Sequence, residues 1–270
     1  MLELGELGYE GFEETTGGLD AYVATDRFRV ADLERSLTLR DPHVHVSWSA
    51  SILPNRNWNA EWEASFQPVE VGREVRIRAE HHPAVPGFAH DLVINPRMAF
   101  GTGHHATTHM MVRAMLGQVP LDPGAVFKGM RDLAVCDLGC GTAVLAILAE
   151  RLGASSVRAI DIDEQAVINA RENVERNGCS IVTVEKGTAA DLVGHTYDVI
   201  LANIERNTLL NAMTVMVRAL RPGGLLFLSG FVRADGERMS AAAAEHGLVP
   251  YAHAAEGEWA LLVRQRSHHA

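Results

Sequence analysis

The chain has 270 residues, 47 % of them apolar and 21 % charged, with a formal net charge of −10. That composition excludes the disordered, collagen-like and disulfide-scaffold classes, and the acidic balance argues against broad binding to a phosphate backbone. The apolar runs are short, as at 143–149, and none approaches the ~18–20 residues of a membrane span. The acidic start, Met1-Leu2-Glu3-Leu4-Gly5-Glu6, is no signal peptide. Three cysteines without a Cys-x-x-Cys pair suit a reduced cytoplasm.

The sequence changes character near residue 95. Before it, Ala21-Tyr22-Val23-Ala24 reads as a strand leaving the turn at Gly17-Gly18. Residues 29–37 read as a short helix, and the alternation of Val44-His45-Val46-Ser47-Trp48 predicts a strand. Trp58, Trp62 and Phe66 are four apart and share one helical face, with Pro68 ending that helix. A core-packing stripe accounts for them better than an aromatic ligand box. Residues 71–77 and 91–94 are predicted strands bridging to the second part.

From there the chain alternates strands and helices. Predicted strands cover 133–138, 157–160, 181–184, 197–202 and 225–228. Helices fall between them at 142–152, 163–177 and 206–220, and a further helix covers 233–246. Gly153 and Gly178 stand where helices end, and Asp163 stands where one begins. This order implies a parallel sheet covered on both faces. Two last strands, 248–252 and 259–263, are joined by a short turn, so one of them runs antiparallel to its neighbour.

The chemistry gathers at the ends of the strands. In Asp137-Leu138-Gly139-Cys140-Gly141-Thr142-Ala143, a buried strand runs into a glycine turn and then a helix. Such a turn lets a ligand approach the backbone and leaves helix N–H groups pointing at it. Asp161 closes the next strand, where an acid can accept hydrogen bonds from both hydroxyls of a ribose. A dinucleotide site wants a third glycine where Val144 stands. S-adenosylmethionine has a ribose but no pyrophosphate, and its sites favour an acid such as Asp137 before the turn. The segment therefore points to that cofactor more than to a dinucleotide, or to a turn with no ligand. Asn203 ends the fourth strand of this part at the ligand-binding edge, placed to position an accepting amine. Phe100-Gly101-Thr102-Gly103-His104-His105-Ala106-Thr107-Thr108 reads as a glycine-rich lid. The doubled histidines here, at 81–82 and at 268–269 have no third ligand at metal-site spacing.

Together these residues resemble the ribosomal protein methyltransferases of the PrmA family, over nearly the whole chain. Asn95-Pro96-Arg97-Met98-Ala99-Phe100-Gly101-Thr102-Gly103-His104-His105, followed by Thr107-Thr108, is the most specific element. Asn57-Trp58-Asn59-Ala60-Glu61-Trp62, Leu201-Ala202-Asn203-Ile204 and Glu256-Gly257-Glu258-Trp259 also match. The resemblance implies an α/β, class I (Rossmann-like) seven-stranded methyltransferase sheet behind a small α+β, ferredoxin-like front domain. On that reading residues 1–54 recognise substrate, 55–98 form a linker helix and bridging strands, and 99–270 carry methyl transfer. The implied substrate is large-subunit ribosomal protein eleven, methylated from S-adenosyl-L-methionine on lysine and N-terminal amines. Cofactor contacts carried over by motif fall on Thr108, Gly139, Asp161 and Asn203. Phe100, Asp137 and Gly141 join them from the reading above, and Asn203 also holds the accepting amine. The implied enzyme is a cytoplasmic monomer with no metal, membrane or nucleic-acid partner.

Two departures from the family pattern stand out. Ala143 occupies a position where many members have glycine; a methyl group fits a helix start there but narrows the methionine side of the pocket. The front domain begins late, as if roughly twenty residues, one strand and one helix, were absent. A start assigned downstream of the true one and a shortened domain both account for that. Three rival functions are weaker. A base-modifying methyltransferase would follow Asn203 with two prolines and an aromatic, where this chain has Ile204-Glu205-Arg206. A small-molecule N-methyltransferase is the alternative if the front domain has lost its protein partner. A non-catalytic binding module would not need the intact glycine turn and both acids.

Overall fold

The computed structural model describes residues 2–9, 11–33, 46–52, 67–95 and 101–268. The chain divides into two compact units, Met1–Asn57 and Trp58–Ala270.

In the first unit, α1 (Leu2–Glu6) precedes a hairpin of β1 (Gly11–Thr15) and β2 (Gly18–Tyr22), and α2 covers Val30–Leu33. The hairpin pairs Gly11 with Tyr22 and Thr15 with Gly18, so two residues, Thr16 and Gly17, make its turn. A strand is thus found where one is expected, but it starts three residues earlier, because Gly18 already belongs to the ladder. Of the predicted strand at 44–48, residues 46–48 are irregular, and Val46 and Trp48 are exposed. Alternation alone does not make a strand without a neighbour to pair with. Residues 44–45, the end of the predicted helix at 29–37 and the aromatic stripe Trp58, Trp62 and Phe66 lie outside the described residues.

The second unit holds two sheets. The smaller consists of β3 (Val69–Val71), β4 (Val75–Arg78) and β5 (His90–Val93). The single strand expected at 71–77 is in fact a hairpin. Gly72 takes φ +57° and turns the chain, so that Val71 pairs with Val75. β5 then adds parallel to β4. Val71, Val75, Ile77, Leu92 and Ile94 share one buried core with Met110 and Met111, so this sheet packs into the unit.

The larger sheet has seven strands. In chain order the elements are α3 (Ala106–Met115), β6 (Ala134–Leu138), α4 (Val144–Arg151), β7 (Ser156–Asp161), α5 (Glu164–Arg176), β8 (Val182–Lys186), β9 (Tyr197–Asn203), α6 (Arg206–Ala219), β10 (Leu220–Val232), α7 (Gly236–Glu245), β11 (Leu248–Glu256) and β12 (Trp259–Arg266). The spatial order is β11-β12-β10-β9-β6-β7-β8. β12 lies between β10 and β11 and is antiparallel to both, as the short final turn requires. β10 is far longer than the expected 225–228, and its register slips on either side of residues 225–228, at Pro222-Gly223-Gly224 and at Ser229-Gly230.

Alternation along the strands builds two cores. On β9, Val199 and Leu201 face one core while Ile200 and Ala202 face the other. The first core takes in α3, α4 and the inner face of α5; the second takes in α6 and α7. Residues Val144 to Ala149 of α4 are all buried, which is why that helix reads as apolar on every side. Asp163 caps α5 by accepting a hydrogen bond from the Gln165 N–H (3.0 Å), and Gly178 closes its far end at φ +60°.

Ala143 is not the helical residue the sequence suggests. It precedes α4 in the left-handed region, φ +63° and ψ +19°, and is fully buried. That conformation costs an L-residue roughly 1–2 kcal/mol and glycine almost nothing. Ala143→Gly is therefore expected to stabilise the protein by about 0.5–1 kcal/mol after the extra unfolded-chain entropy of glycine is deducted. An unchanged or lower urea midpoint would contradict this.

Candidate active site

The order of the large sheet reverses between β6 and β9. From there one half of the chain proceeds through β7 and β8 and the other through β10. Crevices at such a switch point, beyond the carboxyl ends of the strands, are where open α/β sheets bind ligands. Here lies a cavity of about 600 Å³, within the ~300–1,000 Å³ range of small-molecule pockets.

Its floor is the turn after β6. The N–H groups of Gly139 and Cys140 both donate to the Ile160 carbonyl (2.8 and 3.0 Å). The Gly141 N–H donates to Asp161 Oδ2 (2.9 Å), while Asp161 Oδ1 accepts from the Asp163 N–H (3.0 Å). Gly139 and Gly141 take φ +73° and +52°. A Cβ on Gly139 would collide with the Ile204 side chain, and one on Gly230 (φ +92°) would collide with the Ile204 carbonyl. Two glycines on neighbouring strand ends thus make room for the turn after β9.

Asn203 ends β9 at that turn and is buried. Its Nδ2 donates to Thr108 Oγ1 on α3 (3.3 Å). Its Oδ1 is buried and has no hydrogen-bond partner among the described residues. A buried acceptor of this kind costs about 1–3 kcal/mol while unsatisfied, and Asn203 is on the cavity wall. The rim is closed from two sides. His105 caps α3, its Nδ1 accepting from the Thr107 N–H (3.3 Å), and its ring meets Trp259 edge-on at 4.5 Å. Trp259 is delivered by the turn Glu256-Gly257-Glu258, where Gly257 takes φ +57°. Burial lowers the His105 pKa, so the ring is neutral near pH 7. On the glycine-rich segment, the Gly101 carbonyl accepts from Thr142 Oγ1 (2.7 Å).

Of the residues singled out from sequence, Gly139, Gly141, Asp161 and Asn203 meet on this wall. Thr108 stands behind Asn203, fully buried. Asp137 is also behind the wall, where its Oδ2 accepts from the Ala146 N–H at the start of α4 (3.1 Å). Phe100 lies outside the described residues. The sequence reading did not single out Ile162, Gly187, Thr188, Ala189, Glu205 or Gly230, all of which line the cavity. Gly187-Thr188-Ala189 had a legible signal, since Thr188 and Asp191 form a capping box over a short 3₁₀ turn. Among the described residues, no three His, Cys, Asp or Glu side chains are grouped so as to hold a metal ion.

Residues 10–267 match the family described as ribosomal protein L11 methyltransferase (PrmA). The chain belongs to that family. A ribosomal protein L11 methyltransferase of Bacteroides fragilis is 39 % identical over 262 residues, covering 96 % of this chain and 90 % of the relative. One from Porphyromonas gingivalis is 38 % identical, covering 96 % and 87 %. Among solved structures, a ribosomal protein L11 methylase from Lactobacillus delbrueckii subsp. bulgaricus superposes with a TM-score of 0.62 at 26 % identity, over 75 % of this chain and all of that one. The protein is therefore a methyltransferase, and the seven-stranded sheet is that of class I methyltransferases.

Within this methyltransferase, burial pushes the Asp137 carboxyl up to about 7, helped by the charge of Asp161 and opposed by the Ala146 N–H. A carboxyl whose pKa is higher folded than unfolded stabilises the fold fully below its unfolded value, and loses that contribution as pH rises through its folded value. The loss here falls between about pH 4 and pH 7. Asp137→Asn keeps an acceptor for Ala146 without the charge. It should flatten the fall in Tm across that window and raise Tm above pH 7, at about 1.4 kcal/mol per pKa unit removed. Parallel Tm-against-pH curves for the two proteins would show that Asp137 is not the titrating group.

Proposed function

We propose that the enzyme transfers methyl groups from S-adenosyl-L-methionine to lysine side-chain and N-terminal amines of ribosomal protein L11. The observation that carries this is Asn203: a buried amide held by Thr108, its oxygen unpaired among the described residues, at the end of a strand beside the glycine turn. An amine nucleophile has the N–H donor that this oxygen lacks. The lone pair of such an amine can then be aimed along the line of displacement.

The cavity suits the cofactor. Asp161 spends one lone pair of each oxygen on backbone amides, which leaves acceptors for ribose hydroxyls. Ile162 and Gly187-Thr188-Ala189 line the side beyond Asp161 and offer a largely apolar slot for a purine. When bound, the cofactor supplies an electrophilic methyl on a sulfonium. The protein's own work is to orient and desolvate. A lysine amine has an ordinary pKa near ~10.4 and must arrive uncharged. The apolar wall of Leu138, Ile204 and Trp259 disfavours its charged form. Neutral His105 adds no positive charge beside it. Alignment of nucleophile and methyl is worth up to ~7–11 kcal/mol in well-oriented systems, without an acid, a base or a metal.

Other roles follow from the same reading. The first unit, residues 1–54 of it, recognises the protein substrate; 55–98 link it to the methyl-transfer domain, 99–270. The three cysteines are free thiols and no described helix is long and apolar enough to cross a membrane, which supports a cytoplasmic enzyme. We take it to act as a monomer on a protein rather than on nucleic acid.

Labelled methyl from S-adenosylmethionine should appear on purified, unmethylated L11, with mass spectrometry placing it on lysine or N-terminal amines. Cofactor binding without transfer to L11, but with transfer to small amines, would replace the protein substrate with a small-molecule one. Asp161→Ala should weaken cofactor binding by about 1.5–3 kcal/mol, read by calorimetry; unchanged affinity removes Asp161 from the site. Asn203→Ala should cut kcat about 10²-fold, as expected when a reacting group loses its positioning. A kcat within threefold or so of wild type would remove Asn203 from the amine.

A further inference from the structure

Asn169 and Asn173 on α5 and Asn177 at its C-cap stand four apart, and all three are buried. Asn in a helix interior is a poor helix former, because its amide competes for backbone groups. Here the amides also reach out of the helix, although Asn177 Nδ2 keeps a bond to the Asn173 carbonyl (2.7 Å) and Asn173 Nδ2 one to Asn169 Oδ1 (3.3 Å). Asn177 accepts from the Val93 N–H (3.0 Å) and donates to the Val93 carbonyl (2.7 Å). Two residues on, Asn173 does the same for Asn95, accepting from its N–H (2.9 Å) and donating to its carbonyl (3.2 Å). Asn169 adds a second donor to the Asn95 carbonyl (2.9 Å). β5 is an edge strand of the three-stranded sheet. Its free edge, and the residues that follow it, therefore pair with a column of side-chain amides in place of a neighbouring strand.

Asn173 does one thing more. Its Nδ2 also donates to the carbonyl of Thr142, in the turn that floors the cavity (3.0 Å). Thr142 in turn donates its hydroxyl to the Gly101 carbonyl (2.7 Å). One buried amide thus holds the segment that enters the glycine-rich loop at Asn95, and the turn against which that loop rests at Gly101. Asn177 holds only the far end, at Val93.

We infer that Asn173 is a positioning residue for the cofactor turn, coupling the backbone at Thr142, on which Gly101 rests, to Asn95. The inference rests on the cofactor site proposed above. Removing the amide leaves the Thr142 carbonyl without its buried donor and the Asn95 N–H without its acceptor, while the Asn95 carbonyl keeps the Asn169 amide. The turn at Thr142 and the backbone at Asn95 are then no longer held by one side chain. Asn177→Ala removes a similar pair of bonds from the same ladder, together with one to the Asn173 carbonyl, but touches neither the turn nor Asn95.

Calorimetric titration of the full chain with S-adenosylmethionine separates the two. Asn173→Ala should raise Kd about tenfold, equivalent to about 1.4 kcal/mol, whereas Asn177→Ala should leave it within about twofold although both variants lower Tm. Equal Kd values for the two variants, with Tm lowered in both, would overturn the inference and leave Asn173 as fold support only. Absence of binding by the wild-type protein would overturn the cofactor site itself. If Asn173→Ala does not fold, hydrogen exchange of the wild-type protein serves. Adding S-adenosylmethionine should slow exchange at the Asn95 amide and leave the Val93 amide unchanged; no slowing at Asn95 would equally overturn the coupling.

Discussion

The turn after β9 has to pass between two strand ends, and that close approach governs the rest of the site. Ile204 fills the space that side chains on Gly139 and Gly230 would need. Both glycines hold backbone angles that L-residues rarely adopt. With Ile204 lodged there, Asn203 is held at the switch point and its amide meets Thr108 on α3. The floor turn is tied independently to β7 through the Ile160 carbonyl and the Asp161 carboxylate. The cavity wall is therefore made mostly of backbone whose position is set by strand ends, and only a few side chains have to be added to it.

Much of this was legible because glycines and acids at strand ends carry a geometric meaning. The turn at Gly139 and Gly141, the acid at Asp161 and the polar end of β9 each follow from a strand running into a ligand edge. Gly230 was not legible. It lies past the strand expected at 225–228, in what reads as a link to the next helix, and its need for glycine comes from Ile204, 26 residues away in sequence. Gly72 was passed over for a different reason, since apolar and charged residues alternate on both sides of it and hid the turn between two strands. Asp137 shows the limit of reading by residue type. An acid before the glycine turn looks like a ligand group, yet its burial and the Ala146 N–H make it part of the frame behind the wall.

The amide ladder of α5 was hidden for a related reason. Asn at 169, 173 and 177 reads as a polar stripe, which on most helices faces water. Only the fold shows that the stripe faces the edge of β5. A helix has no free donors on its flank, so side-chain amides are the chemistry that lets it satisfy a strand edge in a buried place. The same residues would be costly there without that edge, because each buried amide would be unsatisfied.

Electrostatics give the proposed reaction its main constraint. The methyl donor is a cation, and a lysine amine is one until it loses its proton. The two cannot share a small cavity while both are charged. The wall answers this by dividing the work. Asp161 and Asp163 line one side, next to where a ribose would lie. Glu205 at the mouth is held anionic by the N–H groups of Asn207 and Thr208, so an approaching ammonium meets negative charge first. The inner wall, with Leu138, Ile204, Trp259 and a neutral His105, offers the charged form nothing. On the proposed reading a cationic amine is drawn to the rim, and the apolar inner wall, not the Asn203 oxygen, disfavours its charge further in. On the proposed reading, selectivity for amines comes from the order in which charge and hydrogen-bonding groups are met along the cavity.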